Sequence, residues 1–275
     1  MSPNAHSDER GDALVAALDI ESWTRDGYLH VPAAFDSATI AEIRTWVDDV
    51  ADRKPGELGL MQHYEHTDRG AVLARSERLL EVHDGWRSLV AGGGLPAMAG
   101  RLLGEPAVLY KEKINYKFAG GAGFAPHQDA PAYAFVDTHL TGMLAIDDAD
   151  LANGCLEVVP GMHDELLPLD DDGCIRPDVA AELHFRPVPV RSGDLLWFHS
   201  RVPHRSGPND SETTRRALFC TYNAFRLGDL RAEYYDDKAR FFEARGDDPA
   251  RLSTIGDFQG SAPTEDELRA IGVLP

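Results

Sequence analysis

From residue 104 onward, short runs rich in β-branched and aromatic residues alternate with clusters of Gly, Pro, Asp and Asn. Such runs stand at 106–117, 124–126, 139–147, 155–159, 185–190, 194–199 and 216–224, a spacing of short strands and turn clusters that does not suit a parallel α/β sheet. The spacing predicts an antiparallel sandwich or barrel. Upstream the period changes. Ile20–Phe35 reads as a short helix, a turn at Asp26-Gly27 and a strand, and Asp36 or Ser37 can cap a helix whose apolar positions Ile40, Ile43, Trp46 and Val47 fall on one face. Residues 55–74 read as polar and irregular, and 76–103 as helical, broken at Gly92-Gly93-Gly94. The expected organisation is one domain over 1–275: a loose leader at 1–17, a helical layer at 18–103, a β core at 104–228 and a cap at 229–275, helical from Ala232 to Arg245 and again near 264–271.

Composition sets outer limits on partners. The formal charge of −19 argues against nucleic acid or an anionic membrane surface, because both are polyanions. It leaves a small anionic ligand open, since a pocket can oppose the global sign. The sequence has no apolar run long enough to span a bilayer and no basic-then-apolar leader of the secretory kind. Its three cysteines, Cys155, Cys174 and Cys220, form no CxxC and suggest reduced, buried thiols. A cytoplasmic protein with a small-molecule substrate is the expectation.

The sharpest local motif is Pro126-His127-Gln128-Asp129. In an extended segment residues i and i+2 point the same way, so His127 and Asp129 can reach one ion. His204, just after a predicted strand, is the best third ligand. Two histidines and one carboxylate on one face of a metal leave positions open, which suits Fe(II) that must bind both a cosubstrate and O2. Eleven histidines make a chance His-x-Asp common, so the motif needs support from elsewhere. It comes from Arg215-Arg216 at the start of RRALFCTYN: one guanidinium should face inward and needs an anionic partner there, which a dicarboxylate cosubstrate would supply.

These segments resemble the phytanoyl-CoA dioxygenase (PhyH) family of Fe(II)/2-oxoglutarate-dependent oxygenases. The resemblance rests on RDGYLHVPAAF (25–35), INYKFAGGAGFAPHQD (114–129), IDDADLANGCLEVVPGMH (146–163) and VRSGDLLWFHSRVPHRSGPNDSETTRRALFCTYN (190–223), which occur in the family's order. It implies a mainly β protein with flanking helices around a double-stranded β-helix (jelly-roll, cupin-like) core. It implies iron held by His127, Asp129 and His204. The 2-oxoglutarate carboxylate falls to Arg215 and Ser206, with Arg216 as the alternative if the register slips. The implied reaction consumes O2 and 2-oxoglutarate, releases succinate and CO2, and usually adds a hydroxyl group. Halogenating relatives lack the carboxylate ligand, and this chain keeps Asp129, so hydroxylation is expected.

The strand leading into the motif carries Lys111, Lys113, Asn115 and Lys117 on one face by strict alternation, with Tyr110, Glu112, Ile114 and Tyr116 on the other. A lysine row is as readily a solvent face as a pocket wall. If it faces inward, Lys113, Asn115 and Lys117 border the cosubstrate and Lys111 an anionic group on the substrate. Tyr133, Tyr222, Asn223 and Arg226 are further substrate candidates. The row, with DAPAY, HRSGPN and RRALFCTYN, is most similar to the bacterial branch acting on small polar compounds, including organophosphonates such as aminoalkylphosphonates. Acyl-CoA thioesters, amino acids and secondary metabolites are the alternatives within the family. Outside it stand a Zn- or Mn-dependent jelly-roll isomerase or hydrolase and a binding protein with a vestigial site. The Arg215–Ser206 pair argues against the first, and the intact His127, Asp129 and His204 argue against the second.

Overall fold

The computed structural model describes residues 11–133, 135–136, 138–245 and 252–274. The leader expected over 1–17 falls partly outside them, and its described part is helical at 11–16. Two antiparallel sheets form the core. Strands are β1 (Tyr28–Val31), β2 (Met61–Thr67), β3 (Gly70–Glu77), β4 (Ala107–Lys117), β5 (Phe124–His127), β6 (Leu140–Ala145), β7 (Leu156–Val158), β8 (Arg186–Val188), β9 (Leu195–His199), β10 (His204–Ser206) and β11 (Arg215–Ala224). One sheet runs β1-β9-β6-β11-β4-β3-β2 and the other β5-β10-β7-β8. The two sheets face each other as a jelly roll, flanked by helices α1 (Ile20–Asp26), α2 (Ser37–Asp52), α3 (Asp84–Val90), α4 (Gly94–Leu103), α5 (Pro177–Ala180), α6 (Arg231–Arg245) and α7 (Glu265–Ala270).

Helix boundaries follow local chemistry. Asp36 caps α2 by accepting from Thr39 N, and α2 buries Ile40, Ile43, Val47 and Val50. These pack with Trp86, Met98, Ile114, Leu144, Trp197, Leu218 and Tyr222 in one cluster, between the N-terminal helices and the outer face of the large sheet. A second cluster, with Met143, Leu156, Val158, Val188, Leu196, Phe198 and Phe219, fills the space between the sheets. Each fully buried Leu or Phe there contributes about 1.5–3 kcal/mol. Strand period decides which cluster a residue joins. On β11, Leu218, Cys220 and Tyr222 meet the helices, while Ala217 and Phe219 face the second sheet.

Two features depart from the sequence reading. Residues 61–77, expected as irregular chain running into a helix, form a hairpin whose strand β3 pairs with β4. Its alternation is hidden because its inward residues include the buried Arg75 and Glu77, which carry charge where a strand pattern calls for apolar side chains. The second departure is a bulge in β4. Thr221 pairs with Lys111 and Tyr222 with Leu109, so Tyr110 is the extra residue. Strict alternation would put Tyr110 with Ile114. The bulge instead sends it into an aromatic cluster with Tyr133 and Tyr234, on the same side as Lys111.

Candidate metal centre and cosubstrate pocket

The end of β5 and the start of β10 bring His127 and His204 directly opposite each other as a strand pair. Their ring centroids lie 4.1 Å apart. Asp129 completes the group, and one ligand atom from each of the three lies within 4.8 Å of the others. Both rings are oriented from behind. His127 Nδ1 is 2.7 Å from Ala125 O and His204 Nδ1 is 2.9 Å from Val202 O. A carbonyl only accepts, so each Nδ1 carries the proton and each Nε2 presents a lone pair. Burial, reinforced by His127, pulls the His204 imidazole down to about 4, which keeps it neutral and ready to ligate at ordinary pH. Burial opposes the charge on Asp129, but His204, Lys111 and Lys113 together hold its carboxyl well below the usual range. Two neutral imidazole nitrogens and one carboxylate, with backbone carbonyls fixing the rings, fit a divalent iron with open positions. Gln128, between the ligands, points away: its amide donates to Glu165 O and Arg201 O and accepts from Leu167 N.

A cationic pocket adjoins this triad. Arg215 and Lys117 are cross-strand partners on β11 and β4, and both are buried. Lys117 Nζ donates to Ser206 Oγ at 2.8 Å and to Gly207 O. Arg215 Nη2 donates to Gly154 O, while its Nε has no hydrogen-bond partner among the described residues. Burial, with Arg215 adding to the fall, lowers the Lys117 ammonium to about 7. Burial likewise brings Arg215 down to about 10. Two desolvated cations with spare donor capacity fit the carboxylate of a dicarboxylic acid. Gly154 is required here. It sits at φ +71°, and a Cβ on it would collide with Gly207 O and Lys117 Nζ. Arg216 points the other way, with Nε 2.8 Å from Asp147 Oδ2 and Nη1 3.0 Å from Asp48 Oδ1. Of the two arginines, Arg215 is the one that lines the cavity with the triad.

The lysine row faces inward. Lys113, Asn115 and Lys117 line the cavity that holds the triad. Asn115 is engaged by Arg75, whose Nε donates to Asn115 Oδ1 at 2.9 Å. Lys111 Nζ lies 4.4 Å from the Tyr133 ring centroid and 5.3 Å from that of Tyr234. Neither Lys111 nor Lys113 has an ion-pair or hydrogen-bond partner among the described residues. Burial lowers both ammonium groups, Lys113 well below the usual lysine value. Three of the expected substrate residues lie elsewhere. Tyr222 is core, on the helix face of β11, with its hydroxyl donating to Val90 O. Asn223 caps the following turn by donating to Ala224 O and Gly228 O. Arg226 is exposed and paired with Glu105. Strand period explains Tyr222, because it lies an odd number of positions from Arg215.

Several residues at or around the cavity carried no sequence signal. Asp257, from the chain beyond α6, lines it; Arg75, from the hairpin read as irregular, holds the lining Asn115, and Tyr234, from the polar helix α6, packs on Lys111. Each is brought in by a long-range contact that no local spacing records.

The phytanoyl-CoA dioxygenase (PhyH) family model matches residues 23–217. A methylphosphonate hydroxylase of Gimesia maris is 44% identical over 245 residues, covering 88% of this chain and 94% of that protein. A 2-aminoethylphosphonate dioxygenase of an uncultured bacterium is 37% identical over 225 residues, covering 80% of this chain and 86% of that protein. Among solved structures, the non-heme alpha-ketoglutarate-dependent epimerase SnoN from nogalamycin biosynthesis aligns over 96% of both chains at TM-score 0.64 and 26% identity. EctD from S. alaskensis, solved with 2-oxoglutarate and 5-hydroxyectoine, shares the fold at TM-score 0.67 and 21% identity over 77% of each chain. With its jelly-roll core, its His-Asp-His centre and these relatives, the chain belongs to the phytanoyl-CoA dioxygenase (PhyH) family and is a dioxygenase that works with iron and 2-oxoglutarate.

Proposed function

We propose that this enzyme hydroxylates a small organophosphonate at the carbon bonded to phosphorus. The observation that carries the substrate class is the pair Lys111 and Lys113. They are two ammonium groups beside the triad that make no ion pair or hydrogen bond among the described residues and feel Asp129 only at longer range, on the strand that also carries the cosubstrate lysine. A desolvated ammonium is unfavourable until an anion meets it, and a phosphonate brings up to two negative charges on three acceptor oxygens. The relatives named for methylphosphonate and 2-aminoethylphosphonate point the same way.

In this reading His127, Asp129 and His204 hold the iron, which, with O2 and 2-oxoglutarate, supplies the oxidising power for hydroxylation. One oxygen atom ends in succinate and the other in the new hydroxyl group. Arg215, Lys117 and Ser206 bind the far carboxylate of 2-oxoglutarate and so fix its other end towards the triad. Lys111 and Lys113 hold the phosphonate, which positions the adjacent carbon over the metal. Tyr133, Tyr110 and Tyr234 wall that side and exclude water.

The test is succinate release from 2-oxoglutarate with iron and O2, across alkylphosphonates, aminoalkylphosphonates, free amino acids and an acyl-CoA. Phosphonate-dependent succinate with a matching α-hydroxyphosphonate product supports the reading. Turnover stimulated by an acyl-CoA or an amino acid alone overturns it.

A further inference from the structure

The cavity around the triad contains a third carboxylate that the chemistry above leaves unused. Glu65, Asp129 and Asp257 all line it. Asp129 belongs to the metal triad, and Glu65 Oε1 accepts from Ala122 N at 2.9 Å. Asp257 is 5% exposed and lies on the segment that follows α6. That segment is tied to β5, where Ala125 N donates to Asp257 O at 2.7 Å and Phe124 bridges Phe258. Ser253 Oγ donates to Asp257 Oδ1 at 2.7 Å. The other oxygen, Oδ2, lies 3.4 Å from His127 Nε2.

That nitrogen is the one His127 turns towards the metal, because its Nδ1 is already committed to Ala125 O. When the metal takes Nε2, Oδ2 loses this neighbour. Asp257 does not replace it as a ligand, since the set of mutually close ligand atoms contains only His127, Asp129 and His204. Oδ2 then has no hydrogen-bond donor among the described residues, and its charge is offset only at longer range by Arg75 and Lys113, so an arriving cation or donor would be favoured there. The nearby guanidinium of Arg75 donates to Asn115 Oδ1 and Leu252 O and makes no hydrogen bond to Asp257, although its charge helps to hold that carboxyl low.

We propose that Asp257 receives the ammonium group of the substrate, so that the enzyme prefers a zwitterionic aminoalkylphosphonate to a plain alkylphosphonate. The inference rests on the phosphonate reading above and adds the opposite end of the substrate. Lys111 and Lys113 take the anion, Asp257 takes the cation, and the carbon between them is set over the metal. A short substrate carrying both charges is then oriented in one direction only.

The experiment compares 2-aminoethylphosphonate with propylphosphonate, which places a methyl group where the ammonium would be. Anaerobic calorimetry on Mn(II)- and 2-oxoglutarate-loaded protein gives each Kd, and succinate release from the iron enzyme gives each kcat/KM. The wild type is expected to bind the aminophosphonate at least tenfold more tightly, and Asp257→Asn to reduce that ratio at least tenfold. Equal binding of both by the wild type, or an unchanged ratio in Asp257→Asn, overturns the assignment while leaving the phosphonate reading standing. If Asp257→Asn does not fold, the wild-type ratio and that for 2-hydroxyethylphosphonate decide, since a hydroxyl removes the charge without adding bulk and should cost nearly as much as the methyl replacement. Binding of neither phosphonate overturns both readings together.

Discussion

At the scale of single residues, the two adjacent arginines show how strand period sorts chemistry. Arg215 points between the sheets, and Arg216 points to Asp147 and Asp48. Arg215→Ala is expected to raise the KM for 2-oxoglutarate by about 30-fold or more, the usual cost of removing one partner from a desolvated charge pair. Arg216→Ala removes a partly exposed ion pair, should leave that KM unchanged and should cost about 1 kcal/mol or less in urea denaturation. A KM effect in Arg216→Ala equal to that of Arg215→Ala would reverse the two roles. Lys117 adds a pH dependence. With its ammonium lowered to about 7, it is charged below that pH and increasingly neutral above it. A bound carboxylate favours the charged form. The Kd for 2-oxoglutarate should therefore rise above pH 7, by up to about tenfold per unit, and Lys117→Met should flatten the profile. Calorimetry on Mn(II)-loaded protein between pH 6 and 9 checks this. His127→Ala, Asp129→Ala and His204→Ala should each lose iron on dialysis, measured as metal content, and lose succinate formation with it. The triad was legible from the His-x-Asp alternation and a histidine after a predicted strand, and the arginine pair was legible without its register. Tyr222 and Asn223 were misread because residue type suggested polarity where strand period put them on the helix face or in a turn.

At the scale of elements, charge substitutes for apolar pattern in the parts the sequence hid. Strand β3 and helix α6 meet through a buried network in which Lys238 Nζ lies 2.6 Å and Arg75 Nη1 3.6 Å from Glu77 Oε1. Lys238 Nζ and Arg75 Nη1 also both donate to Leu252 O, at the start of the segment that carries Asp257. Glu77→Ala would leave two cations buried without their carboxylate. It is expected to lower stability by about 3–5 kcal/mol and to loosen that segment, seen as a fall in the urea midpoint and faster hydrogen exchange at 252–258. Full retention of stability would show that the network is not what docks α6. The same helix holds the far end of β4, with Arg231 gripping Glu112 and Glu81 and the Tyr235 hydroxyl donating to Glu112 O. Its helical propensity was readable from its composition. Its docking face was not, since that face consists of tyrosines and a lysine scattered among acids rather than a stripe of aliphatic residues.

At the scale of the whole molecule, the site is built across the two sheets. His127 and His204 come from the small sheet, and Arg215 and Lys117 from the large one. Cosubstrate bound between them ties the sheets together. Saturation with Mn(II) and 2-oxoglutarate should stabilise the fold by about 2.7 kcal/mol at a hundredfold excess over Kd, a rise of a few degrees in Tm. The 2-oxoglutarate part of that rise should fall to about a third or less in Arg215→Ala at the same concentration. Against the net charge of −19, the cavity is lined by Lys113, Lys117 and Arg215, with Lys111 buried behind it. Strand period, turn residues and short motifs were enough to name an antiparallel β core, to place His127 and Asp129 on one side with His204 as the third candidate, and to expect one of Arg215 and Arg216 to face inward; the β5–β10 pairing that joins the histidines and the choice between the arginines came from the fold. The bulge that turns Tyr110 towards Lys111, the hairpin that delivers Arg75 and the returning chain that delivers Asp257 depend likewise on pairings between residues far apart in sequence. Those pairings are settled by how two sheets and a helix satisfy buried charge together, so the metal-ligand motif is written locally while the recognition of substrate emerges only in the folded chain.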